Sequence, residues 1–332
     1  MANIATTLRF FLAPIIASVI CLVIVGVWGG PTAFITAVLL AFLEISLSFD
    51  NAVVNARVLE KMDLVWRRRF LTWGFILSVI LVRVVLPIGV VAISAWIHPL
   101  EVARLALFDA VQYGELLKSI HGIIYAFGAT FLTLVGLKYF FDEAKNVHWV
   151  GFIEERLSRW GQIEAIEIAL VLVLLLITSA ADHQNGTAVL FSGIFGVITF
   201  IAVNGITSAF TIRSGTQAGI ALFIYLNVLD AAFSLDSVVG AFALSTQIIV
   251  IMTGLGIGAY FVRALTLYLV EHSVLKELIY IEQGAHWAII GLAGTMYASI
   301  FWEVPEPLTG FLGFSLIMLA YLSSVRRPKL PA

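Results

Sequence analysis

The stretch AFLEISLSFDNAVVNARVLEKM, residues 41–62, sets Glu44, Asp50 and Asn51 at the end of an apolar run that opens near residue 32. A charge at the depth of lipid tails is costly, so an acid inside such a run is a functional candidate by default. The arrangement returns in LNVLDAAFSLDSVVGAFAL, residues 226–244. Glu44, Ser48, Asp50 and Asn51 in the first copy answer to Asp230, Ser234, Asp236 and Ser237 in the second: an acid, three residues, Ser, one residue, Asp, then Asn or Ser. The likeness continues into the next run, where Gly74 to Arg83 and Gly254 to Arg263 share a spacing of nine. A lone intramembrane acid is a weak signal. A duplicated four-position pattern with a matching arginine is a strong one.

Around these motifs the chain is made for lipid. Of its 332 residues, 61% are hydrophobic and 12% charged, against roughly 45–50% and 25% in soluble domains. At about 20 apolar residues per crossing, polar, Gly and Pro punctuation marks ten candidate helices. They cover 10–28, 32–56, 71–97, 120–141, 164–181, 187–210, 217–243, 247–270, 285–302 and 307–324. The prediction is an all-α polytopic membrane protein with nine to ten transmembrane helices. Soluble enzymes, nucleic-acid binders and secreted disulfide scaffolds are excluded. The net charge of −2 says little, being spread over two membrane faces.

Basic residues orient the spans. Fifteen of the 19 Lys and Arg residues fall on the side of the N-terminus, only Arg104 and Lys118 on the other, and Arg83 and Arg263 inside spans. That bias puts both termini in the cytoplasm. All eight tryptophans lie at span ends or in loops, as an interfacial belt requires. The run from Phe10 to Trp28 is too long for a signal-peptide core and reads as a retained first helix. Cys21, the one cysteine, permits no intrachain disulfide and reads as a small buried hydrophobe.

The organisation that follows is an N-terminal transmembrane helix (1–31), a first repeat (32–141), a cytoplasmic connector (142–163), connecting helices (164–216), a second repeat (217–324) and a cytoplasmic tail (325–332). With the N-terminus inside, the second span runs inward and the seventh outward, so the two motif copies are antiparallel. That is the inverted-repeat plan of many secondary transporters, with the site at the midplane. Trp149, Phe152, Ile153, Leu157 and Trp160 share one helical face of the connector, which predicts a helix lying on the inner surface. The outer loop 98–119 has a weaker pattern of the same kind.

Within a motif, Glu44, Ser48 and Asn51 share a helix face, as do Asp230, Ser234 and Ser237. Asp50 and Asp236 lie about 120° away, so either the helix is locally unwound or the two acids do different work. Every candidate ligand is an oxygen, which suits a hard or borderline cation such as Mn²⁺, Ca²⁺ or Mg²⁺. Arg83 and Arg263 offset two of the four acids, leaving a formal −2 that one divalent cation or two protons would cancel. The competing structural reading has Ser and Asn joining helices while the acids pair with the arginines. Asp182 and His183 at the outer end of the fifth span, and Glu282 and His286 near the inner end of the ninth, are candidates for an access path. Lys138 reads as a snorkelling lysine.

The quoted stretches 41–62 and 226–244, with GLGIGAYFVRALTLYLV at 254–270, resemble the TerC-like family of bacterial integral membrane proteins, in a branch filed as a domain of unknown function. The resemblance covers about residues 32–324. It implies a lysine-exporter-like inverted repeat and a cation exporter of the bacterial inner membrane, with Glu44, Asp50, Asn51, Asp230, Asp236 and Ser237 at the motif positions. The expected function is a secondary transporter that exports Mn²⁺, in exchange for protons, with no bound prosthetic group. A homo-oligomer or other membrane proteins are the expected partners besides lipid. The alternative is an accessory protein that supplies metal to exported proteins or acts in metal and tellurite stress. An intramembrane aspartyl protease is disfavoured, because the aspartates sit in Ser-x-Asp contexts rather than Gly-x-Gly-Asp. With no nucleotide-binding loop, ATP-driven pumping by this chain is excluded.

Overall fold

A computed structural model describes residues 4–74, 76–211, 216–245, 247–272, 274–302 and 304–326, and every regular element among them is helical. In order these are α1 (Ile4–Leu47), α2 (Phe49–Glu60), α3 (Leu64–Arg69), two π-helical segments (Phe70–Gly74 and Leu77–Val85), α4 (Leu86–Ala95), α5 (Pro99–Phe108), α6 (Ala110–Ser119), α7 (His121–Phe140), α8 (Gly151–Trp160), α9 (Ile166–Ala181), α10 (Gly186–Thr211), α11 (Thr216–Leu244), α12 (Ile248–Glu271), α13 (Val274–Glu277), α14 (Ile281–Ser299) and α15 (Glu306–Arg326). Among the described residues seven helices are long and apolar enough to cross a membrane, which marks the chain as a membrane protein.

All ten apolar stretches of the sequence are helical, yet the number long enough to span is smaller. The first two stretches lie in α1, which counts as one helix although its backbone leaves helical geometry at Gly30 (φ 76°, ψ −173°). Both halves pack along α12. Phe10 meets Tyr268 with ring centroids 6.0 Å apart, and Gly29 lies beside Gln247, so the first half runs against α12. Leu40 meets Gly254 and Glu44 meets Gly258, so the second half runs with it. The chain therefore reverses at Gly29-Gly30-Pro31, where glycine accepts the positive φ and proline starts the next helix. The stretch 164–181 forms only the 16-residue α9. The stretch 285–302 is α14, largely buried and carrying Glu282, Gln283 and His286.

Small residues let the helices approach. A Cβ at Gly258 would stand 2.5 Å from Glu44 Cβ, and one at Gly254 2.5 Å from Leu40 Cβ. Such contacts, rather than a hydrophobic force, hold helices together in lipid. The outward faces are apolar, as at Val27, Ile93 and Phe191. Cys21 sits on one of them, exposed between Ile20 and Val23, and is not the buried hydrophobe that the sequence suggested. In lipid an outward face needs no burial in protein to satisfy an apolar side chain.

The connector is a surface helix with a buried anchor. Phe152, Ile153 and Trp160 of α8 are exposed, and Arg156 lies 4.0 Å above the Phe152 ring. Glu154 faces inward and is wholly buried. It accepts hydrogen bonds from Lys145 Nζ (2.7 Å), the amides of Trp149 (3.2 Å) and Val150 (3.1 Å), and Trp287 Nε1 on α14 (3.0 Å). Burial pushes the Glu154 carboxyl up, but the bond from Lys145 leads a set of donors that outweighs it and holds the group below the usual carboxylate range. The loop 98–119 forms the hairpin α5–α6, packed through Val102, Ala106, Tyr113 and Leu117.

Candidate functional site

The first motif sits where a helix is interrupted. α1 ends at Leu47 and α2 begins at Phe49, with Ser48 between them at φ −101°, ψ 14°. Backbone bonds from Ser48 N to Glu44 O (3.0 Å) and from Ala52 N to Ser48 O (3.1 Å) carry the helical pattern across the break. The interruption is a kink, not an unwound turn. The second motif lies within the continuous helix α11. The two copies therefore differ locally.

Glu44, Ser48, Asn51 and Asp230 meet in one small cavity with Asn55, Phe70, Ser78, Arg83, Ala259, Val262, Arg263 and Thr266. Its free volume is about 10 Å³, near the lower bound of roughly 10–15 Å³ that one water needs. Nothing larger than a water or a bare ion fits. Glu44 and Arg83 form a buried ion pair, and Arg83 Nη1 also donates to Ser78 O (3.0 Å) and Ser78 Oγ (2.8 Å). Ser48 Oγ donates to Glu44 Oε1 (3.2 Å). Asn51 Nδ2 donates to Asp230 Oδ1 (2.9 Å), the one bond joining the two motifs directly. Arg263 donates to the carbonyl of Phe70 and lies 4.1 Å above its ring. Gly74 makes room for it, since a Cβ there would come within 2.7 Å of Arg263 Nη1.

Several buried atoms of this cavity are left over. Glu44 Oε2, Asn51 Oδ1, Asn55 Oδ1 and Asp230 Oδ2 have no hydrogen-bond partner, and neither does the donor Arg83 Nε. Buried polar atoms are almost always satisfied, so four acceptor oxygens around one ion-sized space call for an explanation. Two are carboxylate and two amide oxygens, a set that fits a hard cation. Among the described residues no three His, Cys, Asp or Glu side chains converge as a metal-holding group. Any cation here would rely on Asn51 and Asn55 as well as on its two acids.

The other four motif residues stand outside the cavity lining. Asp50 is buried, its Oδ1 accepting the Asn51 amide (2.9 Å). Asp236 is buried with Oδ2 unpartnered and interacts electrostatically with Glu44. Ser234 Oγ is unpartnered, and Ser237 Oγ donates to Ser234 O (3.1 Å). Of the four motif acids, Glu44 and Asp230 line the cavity while Asp50 and Asp236 are buried outside its lining, a division that follows the 120° offset along an ideal helix.

Of the access-path candidates, Glu282 and His286 line a second cavity of about 560 Å³, with Arg57, Lys61, Lys138 and Tyr139 among its other walls. The His286 ring stacks on Tyr139 at 3.6 Å, and its Nδ1 lies 2.8 Å from Glu282 O. Lys138 Nζ is 3.6 Å from Glu167 Oε1. Asp182 has a local task instead: its Oδ1 accepts the amides of Gln184 (3.1 Å) and Asn185 (3.0 Å), closing the turn between α9 and α10. His183 is exposed on that turn. Asn55 escaped the sequence reading although it extends the stripe of Glu44, Ser48 and Asn51 by one turn. Ser78 and the Phe70 carbonyl carried no sequence signal.

A family model described as a protein of unknown function (DUF475) matches residues 49–330. Asn51, Asn55, Arg83, Asp230 and Arg263 fall inside that match, and Glu44 and Ser48 just before it. No curated protein and no solved structure matches the chain.

Proposed function

The chain belongs to the DUF475 family, and we propose that it is a secondary transporter moving a divalent cation, Mn²⁺ in the first place, out of the cytoplasm. The observation that carries this reading is the set of four unpartnered oxygens on Glu44, Asn51, Asn55 and Asp230 around a space of one ion. The volume disfavours an organic substrate, and oxygen donors disfavour soft metals. Charge supports a divalent ion. Glu44, Asp50, Asp230 and Asp236 against Arg83 and Arg263 leave four negative and two positive buried groups, a sum of −2 that one such ion cancels.

The same sum motivates proton exchange. A cation-free site returning across the membrane carries protons on the acids, with Asp50 and Asp236 behind the lining as the carriers. The TerC-like resemblance of the motifs points to metal export, and the opposed motif copies to an inverted repeat. The excess of basic residues on one side supports cytoplasmic termini, in a bacterial inner membrane.

The test is flux in proteoliposomes with a manganese-quenched dye inside. The wild type quenches the dye and shifts internal pH in the opposite sense to metal movement, and Asp230→Asn does neither at equal protein incorporation. Undiminished flux in Asp230→Asn removes the site from the pathway. Flux with no proton movement and no response to an imposed pH gradient reduces the protein to a uniporter.

A further inference from the structure

We propose that α2 is the cytoplasmic gate of the cation site, pivoting at Ser48 and latched by the ion pair between Arg57 and Glu282. The proposal rests on the transporter reading above and on the placement of α2 between two cavities. Ser48, Asn51 and Asn55 line the ion-sized cavity on one stripe of the helix. Val54, Arg57, Val58 and Lys61 line the 560 Å³ cavity on another. The spacings, i, i+3, i+7 in the first and i, i+3, i+4, i+7 in the second, put each set on its own face. α11 also reaches both cavities, through Asp230 and Tyr225, but it is a continuous helix of 29 residues. α2 has 12 residues and is already separated from α1 at Ser48.

The latch lies at the end of α2 remote from that break. Arg57 Nε is 2.7 Å from Glu282 Oε2 on α14, and Arg57 Nη1 is 3.1 Å from Glu60 Oε2 on α2 itself. Both acids flank the guanidinium, and Arg57 and Glu282 line the larger cavity. The Arg57 and Glu282 side chains are 30% and 24% exposed, and although Nε itself is buried its 2.7 Å contact is not aligned as a hydrogen bond. A part-exposed, misaligned ion pair is weak. A weak tether to α14 at the far end of a short helix interrupted at Ser48 is what a gate needs. Arg67 donates to Leu59 O (2.9 Å), Glu60 O (2.9 Å) and Met62 O (3.0 Å), which keeps that end and α3 together as one moving piece. A strong buried pair such as Glu44–Arg83 would hold the helix shut. Breaking the latch lets α2 tilt and joins the two cavities, so a cation reaches Asn51 and Asn55 from the side where basic loop residues cluster.

The experiment reads access, not transport. Cys21→Ser removes the one cysteine, and Thr266→Cys places a thiol in the small cavity. Thr266 is buried and its Oγ1 donates only to Val262 O of its own helix (2.8 Å), which a cysteine tolerates. Modification by the membrane-impermeant 2-(trimethylammonium)ethyl methanethiosulfonate, too large for the small cavity unless it is joined to the larger one, is timed in inside-out vesicles and in intact cells. Arg57→Ala and Glu282→Ala should each raise the rate about two- to fivefold in inside-out vesicles, as the loss of a weak ion pair allows, and leave it unchanged in cells. The pair Arg57→Glu with Glu282→Arg should restore the slow rate. Lys138→Ala, which breaks a neighbouring ion pair in the same cavity, should leave it slow.

An unchanged rate in both latch variants overturns the gate. So does an equal rise from both sides, a rise only from outside, or an equal rise in Lys138→Ala. Folding is checked separately by a monodisperse elution profile for each variant, and the charge-swapped pair keeps the test open if a single variant fails that check. The two readings fail distinguishably: latch-dependent access without wild-type flux sinks the transporter and spares the gate, and flux without latch-dependent access does the reverse.

Discussion

Replacing Glu44 with Gln strips the counter-charge from a guanidinium that has nowhere else to turn. The Arg83 and Glu44 side chains are 3% and 1% exposed, so neither ion is rescued by water. In the variant, Arg83 keeps Nη1 on Ser78 O and Oγ. Nη2 loses its carboxylate, and Nε has no partner to begin with. Removing one member of a buried pair costs about 3–5 kcal/mol. The loss should appear as a fall in apparent melting temperature in detergent on the order of 5–10 °C. Adding Arg83→Gln should recover most of it, because two neutral amides leave no unpaired charge. A double-mutant cycle followed by thermal aggregation or tryptophan fluorescence gives the coupling directly. A fall below about 1 kcal/mol for Glu44→Gln, or a double variant no better than the single, would refute the claim that the two charges depend on each other.

Three further outcomes are expected. Gly258→Ala should destabilise by about 1–3 kcal/mol, because its Cβ would lie 2.9 Å from the Ala41 carbonyl, backbone that cannot swing aside. Gly294→Ala, with no atom within 4 Å, should be neutral or gain up to about 1 kcal/mol of helix propensity, and chemical denaturation in micelles compares the two. Acid should loosen the connector: the Glu154 carboxyl is held low in the fold, so its contribution is complete above the unfolded carboxyl range and lost as pH falls through the lower folded value. Limited proteolysis within 142–163 should accelerate in that window, and Glu154→Gln should cleave fast at neutral pH as well. Asn55→Leu, which removes one unpartnered oxygen and keeps the volume, should weaken Mn²⁺ uptake by proteoliposomes more than Asn227→Leu, since Asn227 lies outside the small cavity.

How far the sequence could be read depended on which signals are local. Apolar runs of the right length, basic loops and the duplicated acids follow from residue identity and helical period. They located the long apolar helices, though not the short α3 and α13, and named Glu44, Ser48, Asn51, Arg83, Asp230 and Arg263 among the residues that line the small cavity. Asn55 was legible in the same way, one turn beyond Asn51. What escaped depends on contact. The reversal at Gly30 was marked by Gly-Gly-Pro as a boundary, but only packing against α12 shows that both halves flank it. Glu154 looked like the polar side of a surface helix, because its four donors come from the loop before it and from Trp287, 133 positions later in the chain. The division of the four acids between lining and second row was visible in the 120° offset, and the sequence could not say which pair faces inward.

The π-helical segments from Phe70 to Val85 give the two arginines different addresses. Gly74 and Arg83 are as many residues apart as Gly254 and Arg263, yet equal counting is not equal turning. A π-helix winds more slowly per residue than an α-helix, and most of the first interval is wound that way while the second is wholly α. The same interval therefore ends at a different phase about its axis. Arg83 finds the carboxylate of its own half, and Arg263 finds a main-chain oxygen of the other. Two sequence copies that began alike thus hold their guanidinium groups at one chamber in different ways: Arg83 on a carboxylate, Arg263 on a carbonyl and over a ring. A residue lost from this segment would scarcely alter composition or hydropathy and would still turn a guanidinium away from its acid.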